Sequence, residues 1–148
     1  MQATASVFTT EYAAVPVSYR PREDEPFMSD RQLEYFRQKL YAWKEDILRE
    51  SRETLGHLQA ETESHPDVAD RASSETDRAL ELRTRDRQRK LISKIDAAIR
   101  RIDDGSYGYC EETGEPIGLA RLDARPIATL SLEAQERHER RERIHRDE

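Results

Sequence analysis

Leu33, Phe36, Leu40, Trp43 and Ile47 are separated by intervals of 3, 4, 3 and 4. A repeat of about 3.5 residues puts all five on one helical stripe and is the seam of a coiled coil. Ser29-Asp30 stands just ahead of the stripe as an N-cap. The pattern slips by one position to Leu55 and Leu58 and fades near Glu63. Ser64-His65-Pro66-Asp67 is a break, because proline disfavours helix at the residue before it and suits the start of a new one.

A second periodic stretch runs from about Asp67 to Asp104 and carries Ala72, Ala79, Leu82, Leu91, Ile92, Ile95, Ile99 and Ile102. Its strongest part lies at the far end, and Arg85 and Gln88 interrupt the stripe, so the middle is expected to pack loosely. Two long helices joined by a tight turn lie antiparallel. At about 1.5 Å per residue each arm spans about 50 Å. The expected fold is mainly α: a long antiparallel two-helix coiled coil with a small head. The base of the stalk pairs Phe36, Leu40 and Trp43 with Ile92, Ile95 and Ile99, and the polar tip projects into solvent.

The flanks supply the head. Pro16, Pro21 and Pro26 prevent a continuous helix over residues 1–28, which read as a short element followed by an irregular strap. From Tyr107 to Thr129, turn signals (Thr113-Gly114, Glu115-Pro116, Gly118) alternate with short apolar runs, which suits small hairpins. Ser131 caps a last helix with little apolar face. Glu133–Arg137, Glu136–Arg140, Glu139–Arg143 and Glu142–Arg146 are i,i+4 pairs that support it at about 0.2–0.5 kcal/mol each.

Composition narrows function. With 35% apolar and 38% charged residues, a thick core is not expected, whereas long solvated helices are. Twenty-five basic against 31 acidic residues give a net charge of −6, unlike a protein that grips nucleic-acid phosphate. No apolar run approaches the roughly 20 residues that span a bilayer, and there is no secretory start. A single cysteine, Cys110, excludes an intramolecular disulfide. The cytoplasm is the expected compartment.

Three places carry possible chemistry. Asp67, Asp70, Arg71 and Ala72 sit at the break, where carboxylates suit the positive end of a helix dipole and where a stalk would deliver an acidic point. Arg83, Arg85, Arg87, Arg89, Lys90 and Lys94 form a basic run, in which Glu81–Arg85 and Asp86–Lys90 are expected internal pairs. Arg87, Lys90, Leu91 and Lys94 share one helical side, cations around an apolar spot that suit an anionic ligand or an acidic surface. Cys110 lacks the companions a four-ligand zinc site needs, and Glu111 and Glu112 are expected to disfavour its thiolate. No phosphate loop, HExxH or nucleophile motif supports an enzyme, so no catalytic residue is assigned.

Leu80-Glu81-Leu82-Arg83-Thr84-Arg85-Asp86-Arg87-Gln88-Arg89-Lys90-Leu91-Ile92, Tyr107-Gly108-Tyr109-Cys110 and Gly118-Leu119-Ala120-Arg121-Leu122-Asp123-Ala124-Arg125-Pro126 occur in order. With Asp67-Val68-Ala69-Asp70-Arg71-Ala72 and Phe36-Arg37-Gln38-Lys39-Leu40, this series resembles the DksA family of bacterial transcription factors, related to TraR-type proteins. The resemblance covers about residues 28–135. It implies a coiled coil inserted into the secondary channel of RNA polymerase without sequence-specific DNA contact. Open promoter complexes are destabilised, usually together with ppGpp, in the stringent response. On that resemblance the tip aspartates and alanine are Asp67, Asp70 and Ala72, the polymerase-rim contact is Arg87, and the ppGpp site is Leu91, Lys94 and Arg125.

Two departures stand out. The family's four zinc cysteines correspond to Cys110, Thr113, Ser131 and Ala134, so no metal is expected and ppGpp is the only co-effector. Gln135 replaces a common lysine thought to help bind ppGpp, with Arg137 one turn away. The expected division is 1–32 as part of the head, 33–104 as coiled coil with its tip near 64–72, and 105–148 as a degenerate zinc-finger-like region with a C-terminal helix. A monomer is the expected state. The rival readings are a coiled-coil adaptor or holdase with no polymerase role, and a nucleic-acid-binding zinc-ribbon descendant.

Overall fold

The computed structural model describes residues 15–62 and 68–147. Four helices follow one another: α1 Asp30–Thr62, α2 Val68–Asp104, α3 Leu119–Ala124 and α4 Leu132–Asp147. The chain divides into two compact units, one of residues up to Gln38 together with Ser106–Glu148, the other Lys39–Gly105.

In the Lys39–Gly105 unit, α1 and α2 run antiparallel. Lys44 Nζ meets Asp96 Oδ1 at 2.7 Å and Ser51 Oγ donates to Gln88 Oε1 at 2.8 Å, so partners recede along α2 as α1 advances. Leu40 and Ile47 are buried on one side, and Ile95, Ala98, Ile99 and Ile102 on the other. Leu91, Ile92 and Trp43 are only half-buried, and no described residue of α2 before Ile95 is buried. The middle does pack loosely. It is held by the Ser51–Gln88 bond and a long contact from Gln88 Nε2 to Glu50 Oε2 at 3.5 Å rather than by apolar contact.

The seam of α2 differs from the sequence expectation in one respect. Leu82, Ala79 and Ala72 are exposed. Counting back by sevens from Ile102 and Ile95 leads to Gln88 and Glu81, and both are half-buried.

In the other unit, Ser29 and Gln32 form a capping arrangement at the start of α1. Ser29 Oγ accepts from the Gln32 N–H at 3.3 Å, and Gln32 Oε1 accepts from the Met28 N–H at 2.8 Å. Gln32 is fully buried, and its Nε2 also donates to the Arg22 carbonyl, fixing the proline strap to the helix. Phe36 is fully buried, with its ring 5.1 Å from Tyr35 and 5.6 Å from Tyr107. Tyr107, also buried, donates its hydroxyl to the Pro126 carbonyl at 2.8 Å.

The expected hairpins are turns joined by one bridge, Tyr109 to Pro116, and no strand forms among the described residues. The bonds that close this bridge come from the neighbours of the pair, so it does not need the N–H that Pro116 lacks. Cys110 N–H donates to the Glu115 carbonyl and Ile117 N–H to that of Gly108, both at 2.8 Å. Gly108 has φ +94°, and a Cβ there would stand 2.9 Å from Met28 Cγ and Sδ, so only glycine lets the strap lie this close. Phe27 packs edge-on against Tyr109 at 5.5 Å.

Ser131 caps α4 as expected, its Oγ accepting from the Ala134 N–H at 3.2 Å. None of the four expected Glu–Arg pairs closes among the described residues. The contacts formed there are His138 Nδ1 to Glu142 Oε1 at 3.6 Å and Gln135 Nε2 to Glu139 Oε1 at 3.2 Å. On an exposed helix, long side chains gain too little from pairing to stay fixed.

Candidate functional site

The tip residues fall at the start of α2. Asp67 lies outside the described residues. Asp70 and Arg71 are placed by backbone alone in the first turn of α2, and their side chains lie outside the description. Ala72 is exposed.

Most of the basic run lies on the exposed side of α2, while Arg85 is half-buried. Arg83, Arg87, Lys90 and Lys94 are all exposed, at spacings of 4, 3 and 4. Arg87 Nη2 lies 3.4 Å from Thr84 Oγ1, and the expected Asp86–Lys90 pair closes at 3.5 Å. The expected Glu81–Arg85 pair does not close among the described residues, because Glu81 turns into the seam. Leu91 is half-buried beside Lys94 on α2. Arg125, exposed, follows α3 in the other unit, where its N–H donates to the Arg121 carbonyl at 2.8 Å.

The knuckle around Cys110 is where sequence reasoning missed most. Burial pushes the Cys110 thiol up, but the Thr113 hydroxyl and the backbone N–H groups of Ser131, Thr113 and Glu112 converge on the sulfur. Together they outweigh burial and bring its pKa from 9.0 down to about 6. The expectation that Glu111 and Glu112 disfavour the thiolate is therefore corrected. Both side chains are exposed, and the backbone of Glu112 acts in the opposite sense. The thiol itself is buried, so thiolate character here is not access. Nothing in residue types signals backbone donors aimed at one sulfur; the only hint was Thr113 three residues after Cys110.

The sign of the pH dependence follows from the direction of that shift. A depressed pKa in the folded protein adds stability that is complete above about pH 9 and is lost as pH falls toward 6. Thiolate ultraviolet absorbance should titrate with a midpoint near 6, and Cys110→Ala should flatten the stability profile across that window. A midpoint at the ordinary thiol value would contradict the geometry.

A second polar pair tightens the same unit. Tyr35 donates its hydroxyl to Asp123 Oδ1 at 2.6 Å, joining α1 to α3. Burial and this carboxylate push the Tyr35 pKa up to about 12.

Comparison with known proteins gives the family. Residues 32–102 match the model of the DnaK suppressor protein DksA N-terminal domain, and residues 105–140 match the prokaryotic dksA/traR C4-type zinc finger. The chain is 84% identical over 130 residues to the RNA polymerase-binding transcription factor DksA of Caulobacter vibrioides, covering 88% of this chain and 92% of that one. It is 42% identical over 125 residues to the protein of the same name from Escherichia coli K12, covering 84% and 83%. Among solved structures, transcription factor DksA2 from Pseudomonas aeruginosa matches with TM-score 0.74 and 44% identity over 79% of this chain and 90% of its own.

The zinc that a C4-type finger implies does not fit these residues. Zinc of that kind takes four thiolate or imidazole ligands in a tetrahedron. Here Cys110 supplies one thiol, and Thr113 and Ser131 offer hydrogen-bond donors to it. Ala134 fills the fourth position with a fully buried methyl group. Among the described residues no three His, Cys, Asp or Glu side chains come together to hold a metal. Nor, among those residues, is any helix long and apolar enough to cross a membrane. An antiparallel two-helix stalk, a knuckle at Cys110 and matches along nearly nine-tenths of the sequence lead to one assignment: this chain belongs to the DksA family.

Proposed function

We propose that this chain is a transcription regulator, not an enzyme, that binds RNA polymerase directly in the cytoplasm as a monomer. Its stalk, residues 33–104, enters the secondary channel, while 1–32 and 105–148 form the head. Asp67 and Asp70, with Arg71 and Ala72 beside them, destabilise open promoter complexes from the tip. Arg87 contacts the polymerase rim. Leu91, Lys94 and Arg125 hold ppGpp against the polymerase, linking promoter response to the stringent response. The observation that carries this reading is the Caulobacter relative, named for RNA polymerase binding and 84% identical over 130 residues. Agreement of α1 and α2 with the expected antiparallel stalk supports it.

The test is binding of the full chain to RNA polymerase core with and without ppGpp. Wild type should bind tightly, and Arg125→Ala should weaken ppGpp binding to the complex without weakening assembly. Equal ppGpp dissociation constants for the two complexes would remove Arg125 from the site. Failure of wild type to bind core would favour the adaptor reading.

We also infer that the head works without metal. Hydrogen bonds to the Cys110 sulfur, ring packing around Phe36 and the Tyr107–Pro126 bond support that reading. Purified protein should contain far less than one zinc per chain, and its melting temperature should be unchanged by EDTA. One tightly held zinc would contradict it.

A further inference from the structure

The proline strap and the first turn of α1 border a cleft of about 470 Å³, whose lining includes Pro16, Tyr19, Arg20, Arg22, Glu25 and Arg31. One wall is fixed. The Tyr19 N–H donates to the Pro16 carbonyl at 2.9 Å, and the Tyr19 ring stands edge-on to Tyr35 at 6.0 Å. Tyr35 is held in turn by Asp123. Charge in the cleft is unbalanced, because Glu25 is the one acid that lines it, while Glu23, Asp24 and Asp30 do not. Neutral donors hold that carboxylate in place. Its two oxygens accept from the Tyr19 hydroxyl at 3.0 and 2.9 Å, and Oε1 also accepts from the Arg22 N–H at 2.7 Å. Arg31 lies over the Tyr19 ring, 4.2 Å from its centroid, and among the described residues its N–H groups meet no acceptor. Arg20 uses only Nη1, on the Val17 and Tyr19 carbonyls, and Arg22 only Nε, on exposed Asp24. A guanidinium has five N–H donors, so all three arginines keep some for a guest.

We propose that this cleft binds the phosphate group of a small anion, free or carried on a nucleotide. Single arginines on a surface are ordinary. Three of them lining one cleft against one carboxylate leave two positive charges, which a phosphate dianion matches and a lone carboxylate does not. Guanidinium forks fit phosphate oxygens two at a time, and a guanidinium resting on an aromatic face is already ordered for that contact. The volume lies within the range of small-molecule sites, about 300–1,000 Å³. Turns and ring contacts hold the wall in advance, so little ordering remains to oppose binding. The site shares no residue with Leu91, Lys94 and Arg125, and it does not depend on the polymerase reading.

The experiment titrates the full chain alone with inorganic pyrophosphate and with adenosine diphosphate at constant ionic strength, following backbone amide resonances by NMR. Saturable shifts should gather in residues 16–31 and weaken as sodium chloride is raised. Arg22→Gln and Arg31→Gln should each weaken binding about tenfold, as loss of one charge-assisted contact does. Both residues are exposed, and glutamine keeps helix propensity at position 31, so melting should match wild type. Arg140→Gln, which removes an exposed cation from α4, should bind as wild type does. Equal affinity for the two probes supports the site and assigns it to free phosphates, and tighter binding of adenosine diphosphate supports it and assigns it to nucleotides. Shifts that do not saturate, that gather on basic residues elsewhere, or that survive both substitutions in the cleft would overturn the proposal.

Discussion

Phe36→Ala should lower the stability of the head by about 3–5 kcal/mol, the range for emptying an aromatic site in a packed core. Phe36 is fully buried, and two further aromatic rings lie within 5.6 Å of it. Truncation removes its buried apolar area and both ring contacts, each worth about 0.5–1.5 kcal/mol beyond area. Tyr35 and Tyr107 cannot collapse into the space, because their hydroxyls are held by Asp123 and the Pro126 carbonyl. In a chain of this size the melting temperature should fall on the order of 10 °C. Urea unfolding followed by the near-ultraviolet circular dichroism of the tyrosine cluster and by far-ultraviolet circular dichroism measures it. A loss below about 1 kcal/mol would mean that the head does not depend on this ring cluster.

Asp70→Asn should abolish repression at a ribosomal RNA promoter while leaving the protein folded and bound to polymerase. The change is nearly isosteric and removes one charge. For a charge removed from the first turn of a helix, the expected structural cost is about 0.3–1 kcal/mol. Stability and functional output should therefore separate, with the melting curve nearly unmoved and repression gone. In vitro transcription with purified polymerase decides the point. Equal repression by wild type and Asp70→Asn, or repression by neither, would exclude the tip mechanism.

The stalk was legible because burial at its base is periodic and apolar. Leu40, Ile47, Ile95, Ile99 and Ile102 could be read from spacing and are buried. Leu82 was misplaced because it and Ala79 fit a local interval of three, whereas the heptad anchored at Ile95 and Ile102 runs through Gln88 and Glu81. A polar seam is invisible to a search for apolar stripes. The hairpins were overstated for a different reason: turn residues were correctly marked, but the turns they make meet in a single bridge among the described residues. The thiolate at Cys110 was misjudged because charged side chains are visible in a sequence and converging backbone N–H groups are not. Arg87, Leu91, Lys94 and Arg125 drew their roles from family resemblance: the spacing of the first three is only that of one side of α2, and Arg125 lies after α3.

The uneven seam of the stalk sets a gradient of local unfolding. Near Ile95 and Ile102 an opening must expose packed hydrocarbon. Around Gln88 and Glu81 it breaks a few polar contacts that water can replace. Amide exchange along α2 should therefore quicken from the base toward the tip, and the far half of the stalk behaves as a compliant probe. Any surface that grips it collects the entropy cost of stiffening, so its affinity for a well-shaped channel is tempered while its tolerance of a varied one is widened.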